Sequence, residues 1–132
     1  MPTLFEYHAA MHLTRLHGIR FYVYQDIPES HKRGAGFPAR DKGVDLISET
    51  YDHIAQVKYY RPKRIIHYGK LSTFLATPIL VGRPSLRLTL LRTSHCRLHR
   101  DIQTIVERGD MQDVTLCERA FLRDVRGGAK PQ

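Results

Sequence analysis

Three residue types suited to phosphoryl chemistry stand close together in the chain: Asp45, Gln56 and Lys58, carried by Asp41-Lys42-Gly43-Val44-Asp45-Leu46-Ile47 and Ile54-Ala55-Gln56-Val57-Lys58-Tyr59-Tyr60. If Asp45 lies opposite Gln56 in an antiparallel pair, the pairs 46–55, 47–54 and 48–53 follow, and the turn centres on Thr50-Tyr51. Period-two alternation then puts Val44, Leu46, Ala55, Val57 and Tyr59 on a core face. It leaves a carboxylate, a carboxamide and an ammonium on the other. Such a cluster suits metal-assisted phosphodiester hydrolysis. Asp45 binds Mg2+, the Gln56 side chain or the Val57 carbonyl adds a second oxygen, and the ion keeps several waters. Lys58 orients a bound water or stabilises the charge that builds on phosphorus. Hard oxygen ligands favour Mg2+, with Mn2+ as a substitute, over zinc. Glu6 supplies a further carboxylate if the N-terminal helix packs beside the hairpin.

The same residues have plainer readings. Asp45 can receive backbone hydrogen bonds at a strand start, and Lys58 can be a solvated strand lysine. Glu6 completes a capping box with Thr3, a role compatible with metal ligation. Asp41 reads as a loop residue shaping the approach to Gly43. Tyr59 is expected in the core, whereas Tyr60 can lie along a phosphate or sugar.

The elements that position these residues follow from patterning. Thr3 caps a helix with a Phe5, Ala9, Leu13, Leu16 stripe, and Gly18 stops it. Ile19 to Tyr24 is aromatic and β-branched, a strand. Residues 25–43 hold Pro28, Gly34, Gly36, Pro38 and Gly43 among Lys32, Arg33, Arg40 and Lys42, and read as a long basic loop of functional type. Val44 to Ser48 and His53 to Tyr60 form the hairpin. Ile65 to Leu75 is expected to be a helix, and Ile79 to Val81 an extended piece or loop. Leu86, Leu88 and Leu90 alternate on a strand with one apolar face. Leu98, Ile102, Ile105 and Val106 mark a helix ending near Gly109, while Asp113 to Val125 carries no clear pattern. The order is mixed α/β with a central sheet.

At 132 residues the chain supports one domain over 1–125, with 126–132 as a frayed tail. The longest apolar run, Phe21 to Tyr24, is four residues, against about 20 for a bilayer span. No membrane partner is expected. The opening Met1-Pro2-Thr3-Leu4 lacks a basic stretch before an apolar core, and two cysteines make no disulfide framework, so an intracellular setting is expected. The net charge of +8 is localised: residues 31–70 and 71–100 each carry +5, and the flanking segments −1 each. That pattern marks a patch for a polyanion or simply a basic, soluble surface. Arg61, Lys63 and Arg64 flank the candidate site as salt-sensitive phosphate contacts, together with Lys32, Arg33, Arg40, Lys42 and Tyr60.

Eight histidines invite a zinc reading, through His8 and His12 at i, i+4 and through His95, Cys96, His99 and Cys117. Their spacing is looser than zinc sites use. His8 and His12 more readily line a helix flank, and Cys96 and Cys117 are small buried hydrophobes.

Glu6, Asp41-x-Gly43-x-Asp45 and Gln56-x-Lys58-Tyr59-Tyr60 together resemble the PD-(D/E)xK nuclease superfamily, and within it the Mrr-like restriction endonucleases. In that group a helix Glu precedes Asp-x-Gly-x-Asp and a Gln-x-Lys strand. The resemblance covers roughly residues 3–75. It implies a restriction-endonuclease-like αβββαβ core with a central mixed sheet flanked by helices. It also implies Asp45 as principal metal ligand, Gln56 in place of the usual acid, and Lys58 as catalytic lysine. Leu86 to Leu91 would supply the remaining core strand. Archaeal Holliday-junction resolvases show a cousin pattern, with Ser30 where their loop serine stands. The implied activity is a Mg2+-dependent DNA endonuclease acting on duplex or branched DNA, as a homodimer for double-strand cleavage, and with a helicase or other motor as a further partner. The alternative is a non-catalytic nucleic-acid-binding module of the same fold. An RNA-associated protein lacks support, because no aromatic platform motif is present.

Overall fold

The computed structural model describes residues 3–38, 43–59, 64–94 and 96–116. The N-terminal helix α1 (Leu4–His17) forms because Thr3 and Glu6 close a reciprocal capping box and Gly18, at φ 71°, ends it in the left-handed region. Phe5, Ala9, Ala10 and Leu13 are its buried face. Leu16, expected on that stripe, is 51% exposed. In the last turn the packing role passes to His17, whose ring meets Phe21 and His53 at 5.8 and 4.8 Å between centroids.

Three antiparallel strands follow: β1 (Phe21–Val23), β2 (Leu46–Ser48) and β3 (His53–Lys58). Two further strands, β5 (Arg87–Thr93) and β7 (Gln112–Leu116), extend the sheet in parallel with β3, giving the order β1-β2-β3-β5-β7. Parallel neighbours need crossovers, which helix α3 (Ser72–Leu80) supplies between β3 and β5, and α4 (Arg100–Glu107) between β5 and β7. A two-residue parallel ribbon pairs β4 (Ile65–Ile66) with β6 (Arg97–Leu98).

Apolar side chains cover both faces of the sheet. Phe5, Ala9 and Leu13 of α1 pack with Leu46, Ala55, Leu91 and Val114 on one side. Phe74 of α3 and Ile102 of α4 pack with Ile47, Ile54, Leu88 and Leu90 on the other. The fold is therefore mixed α/β, a central mixed sheet flanked by helices. It also explains why β5 departs from its expected single apolar face. A central parallel strand is buried on both sides, so Thr89, Leu91 and Thr93 are as hidden as Leu88 and Leu90.

Other expectations shift. The stretch 25–43 is not one continuous loop: it contains a 3-10 turn at Tyr24–Asp26 and helix α2 (Glu29–Gly34). The helix expected from Ile65 to Leu75 starts only after Leu71, because the β-branched Ile65-Ile66 pair is taken into the ribbon with β6. Ile79 and Leu80 end α3; Pro78 lies in its last turn and removes the bond that an N–H there would give to Phe74 O, close to where the helix stops. Leu98 precedes α4 on β6. Among the described residues no helix is long and apolar enough to cross a membrane. The tail 126–132 and the residues from 117 onward lie outside the described residues.

Candidate functional site

The hairpin has two of the predicted pairs, Leu46↔Ala55 and Ile47↔Ile54, with a turn that carries Tyr51 at φ 58°. At Asp45 the ladder changes. Its N–H donates to Ala55 O at 3.0 Å, and its carbonyl accepts from Tyr24 N–H at 2.8 Å. Its carboxylate Oδ2 accepts the Val57 N–H at 2.8 Å. A side chain thus takes the place of a backbone carbonyl, and the strict 45–56 opposition gives way to a shifted pairing. The shift turns Val44 over: instead of sharing a face with Leu46, it packs in the cluster of Phe74 and Ile54. Leu46, Ala55 and Val57 keep the α1 face as expected.

Gln56 lies on the α3 face, beside its register partner Leu90, and is buried. Its Oε1 has no hydrogen-bond partner. A carboxamide oxygen hidden from water without a donor costs about 1–3 kcal/mol, so a group that can approach it is favoured there. Gly43 makes the wall: at φ 91°, a Cβ on it would stand 3.3 Å from Phe74 Cβ and N and 3.5 Å from Gln56 Nε2. Lys58 follows by alternation on the face of Ile54 and Gln56, half-buried, with Arg92 of β5 as its register partner. The end of the hairpin therefore gathers Gly43, Asp45, Gln56 and Lys58. An oxygen donor set of Asp45, Gln56 and the Val57 carbonyl fits a hard cation such as Mg2+ or Mn2+, and the orphaned Gln56 Oε1 is the observation that speaks for it.

Glu6 is engaged in its capping box, its Oε1 accepting from Thr3 N and Oγ1 at 3.2 Å each. The helix start lies at the Lys58 end of β3, because Phe5 packs on Tyr59 with centroids 4.6 Å apart. Tyr59 is 43% exposed at this rim and not in the core.

The basic residues divide. Lys32 is not a phosphate contact: it is 4% exposed, its Nζ donates to Tyr24 O at 3.3 Å and stands 4.5 Å from the Tyr24 ring centre. Helix α2 turns it inward, which a loop reading does not anticipate. Arg33 is exposed and pairs with Glu29 at 3.4 Å. Ser30 and Arg64 are exposed. Asp41, Arg40, Lys42, Tyr60, Arg61 and Lys63 lie outside the described residues.

Two polar features of the sheet escape the sequence reading. Arg92 makes a two-pronged contact with Asp113 at 2.9 Å on each arm and donates to Cys96 O at 2.5 Å. These bonds hold its pKa above the ordinary arginine value. Nothing local in the sequence signals it, because its partner Asp113 stands 21 residues further along the chain. His53, at the opposite end of β3, is buried, with Nε2 on Thr89 Oγ1 at 2.7 Å and Nδ1 unpartnered. Burial, reinforced by Arg87 and His17, lowers its pKa to about 4. Among the described residues no three His, Cys, Asp or Glu side chains gather as a metal cluster. Cys96 is buried with Sγ donating to Thr93 O, and His99 caps α4 by accepting from Asp101 N. His95 and Cys117 lie outside the described residues.

No family model matches the chain, no curated protein matches it, and no solved structure matches it.

Proposed function

We propose that this chain is a metal-dependent DNA endonuclease of the PD-(D/E)xK class, hydrolysing phosphodiesters in the manner of Mrr-like or junction-resolving enzymes. The element order is compatible with the reading: apart from the short α2 and the two-residue β4, a helix, three antiparallel strands, a crossover helix and a parallel strand follow one another, as in the αβββαβ order that the resemblance implies. The observation that carries it is the Asp45 carboxylate, fixed on the Val57 N–H, next in the chain to a buried Gln56 oxygen without a donor. A structural hairpin gains nothing from that orphaned oxygen. Asp45, Gln56 and the Val57 carbonyl would hold Mg2+ or Mn2+, with Glu6 available if it leaves its cap. Bound there, the cation supplies an acidified water and neutralises phosphate charge. Lys58 holds its ammonium on the same sheet face, where it orients the attacking water and stabilises charge on the phosphorane oxygens. The Gly43–Phe74 contact walls the site on the α3 side. Each chain has one such site, so double-strand scission takes two copies.

The test is cleavage of supercoiled plasmid and branched DNA in Mg2+ or Mn2+, with EDTA as control, by wild type, Asp45→Asn and Lys58→Ala. Nicking that needs metal and disappears in both variants is expected. A wild type that binds DNA but cuts nothing with either metal overturns the reading. A second reading is a binding module of the same fold without catalysis, in which the Asp45 carboxylate serves only to hold the Val57 N–H.

A further inference from the structure

On the same face of the sheet as Gln56 and Lys58 lies an open cavity of about 910 Å3, between the β4–β6 ribbon, α4, the carboxyl end of β5 and Asp113 near the start of β7. Arg92 lines it, and Arg92 is the register partner of Lys58. The cavity therefore begins one strand spacing, about 4.8 Å, from the column that carries the candidate catalytic residues.

Its charge follows from which arginines are engaged elsewhere. The segment 71–100 holds five arginines and no acid. Arg83 donates to the carbonyls of Tyr51 and Ala35, Arg92 is tied to Asp113 and Cys96, and Arg87 lies at the far end of β5 beside His53. Arg97 and Arg100 remain, both line this cavity, and neither forms an ion pair among the described residues. Three acids share the wall with its three arginines: Asp113 is bound to Arg92, while Asp101, whose N–H caps onto His99 Nδ1, and Glu107 on the last turn of α4 set separate anions beside Arg97 and Arg100, so the wall offers local cations and no net positive field. The rest of the lining mixes the polar Ser94 and Gln103 with Ile65, Leu98, Val106 and the His99 ring, against which His67 packs at 5.1 Å.

Duplex DNA presents phosphates on a convex surface and keeps its bases stacked inside, so it has nothing to place in a concave, half-apolar chamber. A splayed nucleotide does: an anion for the guanidinium groups, and a base face for the imidazoles and aliphatic side chains. The volume falls within the range of small-ligand sites. The geometry points to this cavity as a subsite for an unpaired nucleotide, with Arg97 and Arg100 on its phosphate and His99 and Ile65 against its base. The inference rests on the endonuclease reading, whose substrate class it names: DNA with an unpaired stretch beside the cut.

The test measures binding in EDTA, so that a protein which never cuts still reports on the cavity. Fluorescence anisotropy compares a short oligothymidylate with a blunt hairpin duplex, using the full chain, Ser94→Leu and the double variant Arg97→Ala, Arg100→Ala. Ser94, exposed at the end of β5, lines the cavity, and Leu there fills space without adding charge or a ring for a base to stack on. Expected is a loss of about tenfold for the oligothymidylate with Ser94→Leu, the size of one lost base contact. Duplex binding should stay within about twofold. The double arginine variant should weaken the oligothymidylate by a larger factor than the duplex. Equal losses for the two probes, or an unchanged oligothymidylate affinity, with melting curves matching wild type, overturn the subsite. Absence of metal-dependent plasmid cleavage by wild type overturns only the nuclease reading.

Discussion

The carboxylate of Asp45 reaches across the hairpin to the amide of Val57, at 2.8 Å, and closes the β-ladder with a side chain. One residue thereby links the strand register to the candidate metal site. Replacement by Asn keeps an oxygen for that amide and removes the charge, so Asp45→Asn should melt close to wild type and have no detectable cleavage. Asp45→Ala leaves the amide without its acceptor and should lose about 1–2 kcal/mol as well. Thermal melts beside the plasmid assay separate the two effects.

Gln56 offers a test with opposite signs for stability and function. Gln56→Leu removes a buried orphan oxygen and should raise stability by up to about 1 kcal/mol while abolishing the metal response. Gln56→Glu adds a charge and should lower the Mg2+ concentration for half-maximal cleavage several-fold. A metal titration of both variants checks this.

Gly43 has to stay a glycine. A side chain at φ 91°, with its Cβ 3.3 Å from the Phe74 backbone nitrogen, should cost about 1–3 kcal/mol and displace the wall beside Gln56. Gly43→Ala should therefore lose melting temperature and cleavage together.

His53 sets an acid limit. Its folded pKa of about 4 lies below the unfolded value near 6.5, so as pH falls the unfolded chain takes the proton first. Its contribution is complete above about pH 6.5 and is lost as pH falls through 6.5 towards 4, in total on the order of 3 kcal/mol. Chemical unfolding at pH 7 and pH 5 should show the decline, and His53→Gln should flatten most of it.

Lys32 and Arg64 should behave differently toward DNA. Lys32→Met should reduce stability and leave affinity and its salt dependence unchanged, since the buried ammonium already serves Tyr24. Arg64→Ala should weaken binding and lower the slope of log K against log salt by about one. Affinity measured over a salt series distinguishes them.

Local chemistry made much of this legible in advance. The capping box of Thr3 and Glu6, the stop at Gly18 and the hairpin pairs at Leu46 and Ile47 depend on neighbours a few residues away, which patterning captures. What was missed depends on distant partners. Ile65 and Ile66 become a strand only because Arg97 and Leu98 arrive alongside, and Lys32 turns inward only because Tyr24 is there to receive it. Asp45 illustrates the boundary: its place at the end of the hairpin was readable, but its displacement of a backbone acceptor, with the reversal of Val44, was not.

The strand that carries Gln56 and Lys58 pairs on one side with its immediate neighbour in the chain and on the other with β5, beyond a long crossover. Hairpins close in microseconds, whereas non-local parallel pairings wait on the entropy of loop closure. Asp45 and Gln56 can thus meet early in folding, while Phe74 and Arg92 arrive only when α3 and β5 dock. The partly folded chain would hold a hairpin with its carboxylate in place but without the wall or the neighbouring cavity. Competence should therefore appear in the slowest phase of refolding, after the hairpin itself is complete.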